Sequence, residues 1–188
     1  MKFFAPGFTS PTDAQSCFRG VLQALSTPGA VVPLSRPVGP PPGLSAAAAS
    51  VLLTLVDSSV SASLPEGDDA ARDWLVFHAG VQLTTPAAAD FVMARDHFDL
   101  RQLKAGTDDA PEDGATLVLD VASLESGRLY RLTGPGIETE RRVTLPLADG
   151  FMAAWRQQAH TRPRGVDVIL CHEIRIMGLP RSLTIEEI

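Results

Sequence analysis

The sequence predicts an α/β domain built on a mixed sheet. Three observations point there. Capped segments with helical periodicity alternate with short β-type runs along 188 residues. The runs at residues 115–121 and 165–171 are apolar nearly throughout, as strands covered on both faces are. The links within residues 115–133 and 165–187 are too short for crossovers, so the strands there are expected to pair antiparallel.

The first helix starts at Ser10 as N-cap, with Pro11 in the first helical position and Asp13 in the first turn. Phe18, Val21, Leu22 and Leu25 recur at helical spacing, and Thr27-Pro28-Gly29 ends the helix. A short strand is expected over residues 30–34. The proline-rich stretch 37–43 is too rigid and too poor in donors for a regular element, so it reads as an extended connector. Ser45 caps a second helix to residue 56, apolar almost all round and therefore buried. Residues 60–64 read as a strand and 65–73 as a loop or short helix. Residues 74–78 (WLVFH) and 88–94 read as strands, and Asp96 as the cap of a short helix over 97–104. A loop rich in glycine, proline and acids runs from 106 to 114. The strand at 115–121 is then expected to form a hairpin with 128–133, around a turn that contains Gly127. Residues 147–160 predict a further helix with Phe151, Ala154 and Trp155 on one stripe. Strands at 165–171, 174–178 and 182–186 complete the chain. A single domain over residues 1–188 is expected.

Composition narrows the function. Apolar residues are 45%, charged residues 20%, and the net charge is −6. This is ordinary globular composition, without the basic stripe that nucleic-acid wrapping needs. Lys2 and Lys104 are the only lysines among 16 cations, and the rest are arginines, a bias that fits either bidentate anion recognition or a GC-rich coding preference. Cys17 and Cys171 form no metal-binding or disulfide pattern and read as buried, reduced thiols. The N-terminus lacks the apolar region of a signal peptide, and the apolar stretch at 46–56 is too short to span a bilayer. A cytoplasmic protein without nucleic-acid or membrane partners is expected.

Generic catalytic motifs are missing. The sequence has no GxSxG, no P-loop and no GxGxxG opening a helix, and its four histidines stand singly. Three features remain. The loop around Gly106-Thr107 and Pro111-Glu112 either cradles an anion with backbone N–H groups or is a loop that ties down its own donors. Gly134-Pro135-Gly136 permits close approach of a ligand or subunit, or makes a tight turn. Arg181 follows a strand and either holds a phosphate or partner carboxylate or is solvated. His78, inside an apolar run, reads more simply as a structural histidine than as a base.

These features occur in an order that resembles a known family. The resemblance runs through Cys17-Phe18-Arg19, Leu25-Ser26-Thr27-Pro28-Gly29, residues 50–57 and Phe77-His78. It is densest from Gly106-Thr107 to Leu124, and continues through Gly127-Arg128, residues 132–137, 165–170 and Pro180-Arg181. Taken together these segments resemble PhnH, the H subunit of bacterial carbon–phosphorus lyase. The run Arg162-Pro163-Arg164 departs from the family pattern, which often has an aromatic–Pro–apolar run there.

The resemblance implies a three-layer fold, a mixed sheet between helices like the large domain of pyridoxal-phosphate-dependent transferases, without that cofactor. Lys104 fits this, since it reads as a cation at a helix C-terminus rather than as a Schiff-base lysine. The resemblance also implies a homodimer when isolated and a complex with the G, I and J subunits. That system transfers a phosphonate to the ribose C1 of ATP and displaces adenine. With no cysteine cluster for iron–sulfur, a radical step cannot belong to this chain. The expected role is assembly, with no catalytic residue, metal or cofactor assigned. Ligand contacts, if present, are expected at Arg19, His78, Thr107, Glu112 and Arg181. Two other readings stay open: a free-standing, cofactor-independent enzyme on the same fold, and a module that carries phosphonate without chemistry.

Overall fold

The computed structural model describes residues 4–188. Helix α1 (Pro11–Ser26) starts as its cap predicts, with Ser10 Oγ accepting from the Asp13 N–H at 3.2 Å. Its buried stripe is Asp13, Cys17, Val21 and Ala24. Phe18 and Leu22 are exposed at 42% and 50%, so the expected stripe is rotated toward smaller side chains. The reason is a close approach. At Gly178 a Cβ would lie 2.4 Å from the Ala24 carbonyl oxygen, so helix and strand touch backbone to backbone there. Strand β1 (Val31–Pro33) follows, then the extended connector, pinned where the Val38 N–H donates to Ser50 Oγ. Helix α2 (Ala46–Leu55) is capped by Ser45 and buried along most of its length, as expected of an all-apolar helix.

After strand β2 (Ser61–Ser63) comes the first correction. Residues 74–78 are not a strand but part of helix α3 (Asp69–Ala79). Ala71, Trp74 and Leu75 are buried, whereas Val76 and Phe77 are exposed, which is helical rather than alternating burial. Gly80, with φ +66°, terminates the helix in the left-handed conformation. Strand β3 (Gln82–Leu83) was not anticipated, and β4 (Phe91–Arg95) begins later than expected. Asp96 caps no helix. It sits at φ +56°, and Asp99 caps the single 3₁₀ turn Leu100–Gln102 instead. Lys104 therefore completes no helix; its Nζ donates to Asp90 Oδ1 at 2.5 Å.

The remaining elements are β5 (Thr116–Asp120), β6 (Arg128–Thr133), β7 (Arg141–Leu145), α4 (Asp149–Ala159), β8 (Asp167–His172), β9 (Arg175–Leu179) and β10 (Thr184–Glu187). They make two sheets. Seven strands run in the order β1-β9-β8-β5-β4-β2-β3, and three in the order β10-β6-β7. The expected hairpin between β5 and β6 does not form. β5 lies between β4 and β8, parallel to both, and β6 pairs with β7 and β10 in the small sheet. The expected antiparallel pair does form between β8 and β9, whereas the last strand leaves for the small sheet.

The large sheet is covered on both faces, which explains its near-continuous apolar strands. Val118, Ile169 and Cys171 point to the face under α1, α2 and α3, and their neighbours Leu117, Val168 and Leu170 point to the other. That second face packs against α4 and the small sheet, joined where Trp155 Nε1 donates to the Leu183 carbonyl at 3.1 Å. Both thiols are buried, and burial pushes both upward in pKa. No helix among the described residues is long and apolar enough to cross a membrane.

Candidate functional site

The five residues singled out in the sequence do not meet in one place. Arg19 is exposed on α1. His78 is half-buried on α3, its Nε2 2.9 Å from the Ala5 carbonyl oxygen, beside Trp74, whose Nε1 donates to the same carbonyl at 2.8 Å. Thr107, Glu112 and Arg181 do come together, at the amino ends of β5 and β8.

The loop 106–114 is closed upon itself. Thr107 N–H donates to the Ala110 carbonyl, and Ala110 N–H returns to Thr107 Oγ1 at 2.9 Å. Asp113 and Gly114 N–H groups donate within the 3₁₀ turn Pro111–Asp113. Arg181 staples this loop to the sheet. Its Nε and Nη2 hold Asp167 Oδ2 at 3.0 and 2.6 Å, and its Nη1 donates to the Pro111 carbonyl at 2.5 Å. A Cβ at Gly114 would fall 2.3 Å from the Gly165 carbonyl oxygen, so that glycine serves packing. Thr107 and Glu112 side chains are exposed beside this staple.

A second constellation lies at the opposite, carboxyl edge of the sheet. β2 and β3 are three and two residues long, whereas β4 has five. The β2–β4 register ends at Ser63↔Val92, so β4 continues to Arg95 with no partner on that side. The shortfall leaves a cleft of about 810 Å³, walled by the ends of β2, β3 and β4 and the start of α3. Chain direction puts a switch point here. The connection leaving β2 runs through α3 on one face, with Trp74 and Leu75 in that core. The connection leaving β4 runs on the other face, with Leu100 and Leu103 in that core. A crevice between adjacent parallel strands whose connections part to opposite faces is where open α/β sheets bind ligands.

The cleft is chiefly apolar, with Leu64, Leu83, Met93 and Phe98 in its wall, and carries a few polar groups. Arg72 donates from Nη1 to the Leu64 carbonyl at 3.1 Å. Arg95 spans the Gly43 carbonyl and the Asp68 carboxylate. His97 lines both this cleft and a smaller one of about 230 Å³ beyond it. Next to the cleft, Asp120 at the end of β5 accepts from Ser45 N–H at 2.8 Å. Burial raises the Asp120 carboxyl above its ordinary range, against the pull of Ser45, Arg95 and His172. None of these cleft residues was singled out in the sequence. The available signal was the strand end at residue 64 followed by the helical spacing of Ala71, Trp74 and Leu75, which places Arg72 at a strand-to-helix junction.

The chain is similar to known proteins along nearly its whole length. Residues 6–186 match a family described as bacterial phosphonate metabolism protein (PhnH). The α-D-ribose 1-methylphosphonate 5-triphosphate synthase subunit PhnH of Rhizobium meliloti (strain 1021) is 30% identical over 193 residues, covering 98% of this chain and 96% of that protein. A putative C-P lyase subunit protein, HtxG of Stutzerimonas stutzeri, is 35% identical over 176 residues, covering 89% of this chain and 83% of its own.

Proposed function

Because the chain belongs to the PhnH family of bacterial phosphonate metabolism proteins, we propose that it works as a non-autonomous subunit of a carbon–phosphorus lyase complex. One observation carries this reading. A relative named as a subunit of ribose 1-methylphosphonate 5-triphosphate synthase is matched over 96% of its length. The partners are then the G, I and J subunits, with a homodimer as the isolated form and the cytoplasm as its location. The complex joins a phosphonate to the ribose C1 of ATP and releases adenine, and this chain contributes chiefly to assembly. The large sheet, with helices on one face and a helix plus a second sheet on the other, supports the likeness to the pyridoxal-phosphate transferase domain. Arg19, Thr107 and Glu112 are exposed and line no cleft in common, so we assign them to contacts with partner subunits. Arg181 holds the loop that carries Thr107 and Glu112, and His78 pairs with the Ala5 carbonyl in the segment ahead of α1.

The test is adenine release from ATP and methylphosphonate by the reconstituted subunits, each omitted in turn. Release is expected only with this chain and its partners together. Release by this chain alone, or an unchanged rate without it, would overturn the proposal and favour the autonomous enzyme.

A further inference from the structure

We propose that the cleft at the carboxyl ends of β2, β3 and β4 binds an amphipathic organic anion: an oxyanion head on Arg72, Thr84 and Thr85, and an apolar body against Leu83, Met93 and Phe98. The argument begins with charge. Most arginines of this chain face a carboxylate within salt-bridge distance. Arg72 has none among the described residues, although it is half-buried in the wall of this cleft. Its one hydrogen bond, from Nη1 to the Leu64 carbonyl, leaves Nε and Nη2 without a protein acceptor among the described residues. A cation held among apolar side chains is costly without a counter-charge. Arg95 is already matched by Asp68, and Glu66, the carboxylate in the lining, is exposed on the rim where water screens it.

The hydroxyls agree. Ser63, Thr84 and Thr85 line the same cleft, and none of the three side chains has a hydrogen-bond partner among the described residues. Other hydroxyls close to sheet or helix ends are engaged: Ser45 accepts from the Ala48 N–H, Ser50 and Thr54 donate to backbone carbonyls, and Ser61 donates to the Asp90 carboxylate. Free hydroxyls lining one cleft with an unpaired guanidinium suit an oxyanion. The cleft, about 810 Å³ in all and chiefly apolar in its wall, exceeds what a bare phosphate fills, so the ligand carries a hydrophobic body.

This inference does not depend on the complex-subunit reading, since it is tested by binding to the purified full chain, without adenine release. Titration calorimetry with phenylphosphonate, benzoate, inorganic phosphate and benzyl alcohol is expected to show saturable binding of at least one aryl anion. Inorganic phosphate is expected at least tenfold weaker, and benzyl alcohol silent. A phenylphosphonate preference assigns the head to a phosphorus oxyanion, a benzoate preference to a carboxylate, and either supports the site. Arg72→Gln is expected to weaken aryl-anion binding about tenfold or more, as loss of a charge-assisted contact does. Leu83→Trp fills the cleft, keeps the arginine and should also abolish binding. Arg156→Gln, exposed on α4 and outside the cleft lining, should leave it unchanged. No binding of either aryl anion at 10 mM, equal affinity for inorganic phosphate, or unchanged affinity in a folded Arg72→Gln protein would each overturn the proposal.

Discussion

The two edges of the large sheet are built on opposite terms. At the amino edge, Asp90 is held by Lys104 and by Ser61, and Asp167 by Arg181, which also holds the Pro111 carbonyl. The glycines there pack backbone against backbone. At the carboxyl edge the strands stop at unequal lengths, hydroxyls go unmatched and one arginine lacks a counter-charge. The amino edge is richer in the glycines and acids that attract attention in a sequence. Its carboxylates are each held by a cation, so it holds the sheet together, whereas the carboxyl edge keeps Arg72 without a carboxylate among the described residues. What distinguishes a receptor from a staple is the donor that remains free, not the residue type.

Four perturbations test that contrast. The largest effect is expected from Gly114→Ala, whose Cβ would meet the Gly165 carbonyl at 2.3 Å and Arg181 Nη1 at 2.6 Å. Overpacking against backbone should destabilise by about 3 kcal/mol, or roughly 6–12 °C in a melting curve. A melting temperature within 2 °C of wild type would mean the amino edge is softer than its geometry. Next is Arg181→Met, which leaves the half-buried Asp167 without its partner. A loss of about 2 kcal/mol is expected in urea unfolding, and a loss below 0.5 would reduce the staple to a surface ion pair.

The third perturbation is pH, to which the edges should respond in opposite senses. Burial alone would raise Asp90, but Lys104 and Ser61 hold it down to about 2. A carboxyl depressed in the folded state stabilises above its unfolded pKa, and that contribution is lost as pH falls from about 4 toward 2. Asp120 is raised by burial, so its ionised form opposes folding near neutrality, and stability is regained as pH falls into the carboxylate range. Asp90→Asn should therefore flatten the acid loss, by about 1 kcal/mol or less given its partial exposure. Asp120→Asn should hold or increase stability at pH 7 while removing the gain on acidification. Like-signed responses in stability measured from pH 7 to 3 would break the contrast. The smallest effect is expected from Thr84→Val and Ser63→Ala in the cleft. Stability should stay within about 0.5 kcal/mol, since neither hydroxyl holds the fold. A larger loss in chemical denaturation would show that the cleft is structural.

Much of the fold is legible along the chain because its signals are local. Ser10-Pro11 and Ser45 announce their helices, and the apolar density of residues 116–120 and 168–171 announces strands covered on two faces. What failed was non-local or ambiguous in period. The run Trp74–Phe77 is too short to separate strand from helix by its own pattern, and the deciding residues, Ala71 and Gly80, flank it. The partner of β6 could not be read from its nearest strand, because β5 is taken by β4 and β8. The cleft was invisible for the same reason. It is assembled from the ends of three strands, and what makes it is how far each strand fails to reach. The loop 106–114, by contrast, stood out through composition, and the ambiguity of its reading lay in where its N–H groups go, which only coordinates show.

The small sheet also sets an order of events. Between β5 and β8, neighbours in the large sheet, the chain makes β6, β7 and α4, and β6 then waits for β10 from beyond β9. Both sheets thus close by contacts between segments remote in sequence, and loop-closure entropy must be met before either is rewarded. The face that Trp155 and Leu183 close together in the folded protein is expected to be completed only once the chain reaches residue 183. A folding chain of this topology is expected to be slow, and to expose its most apolar strands for longest just before β10 arrives.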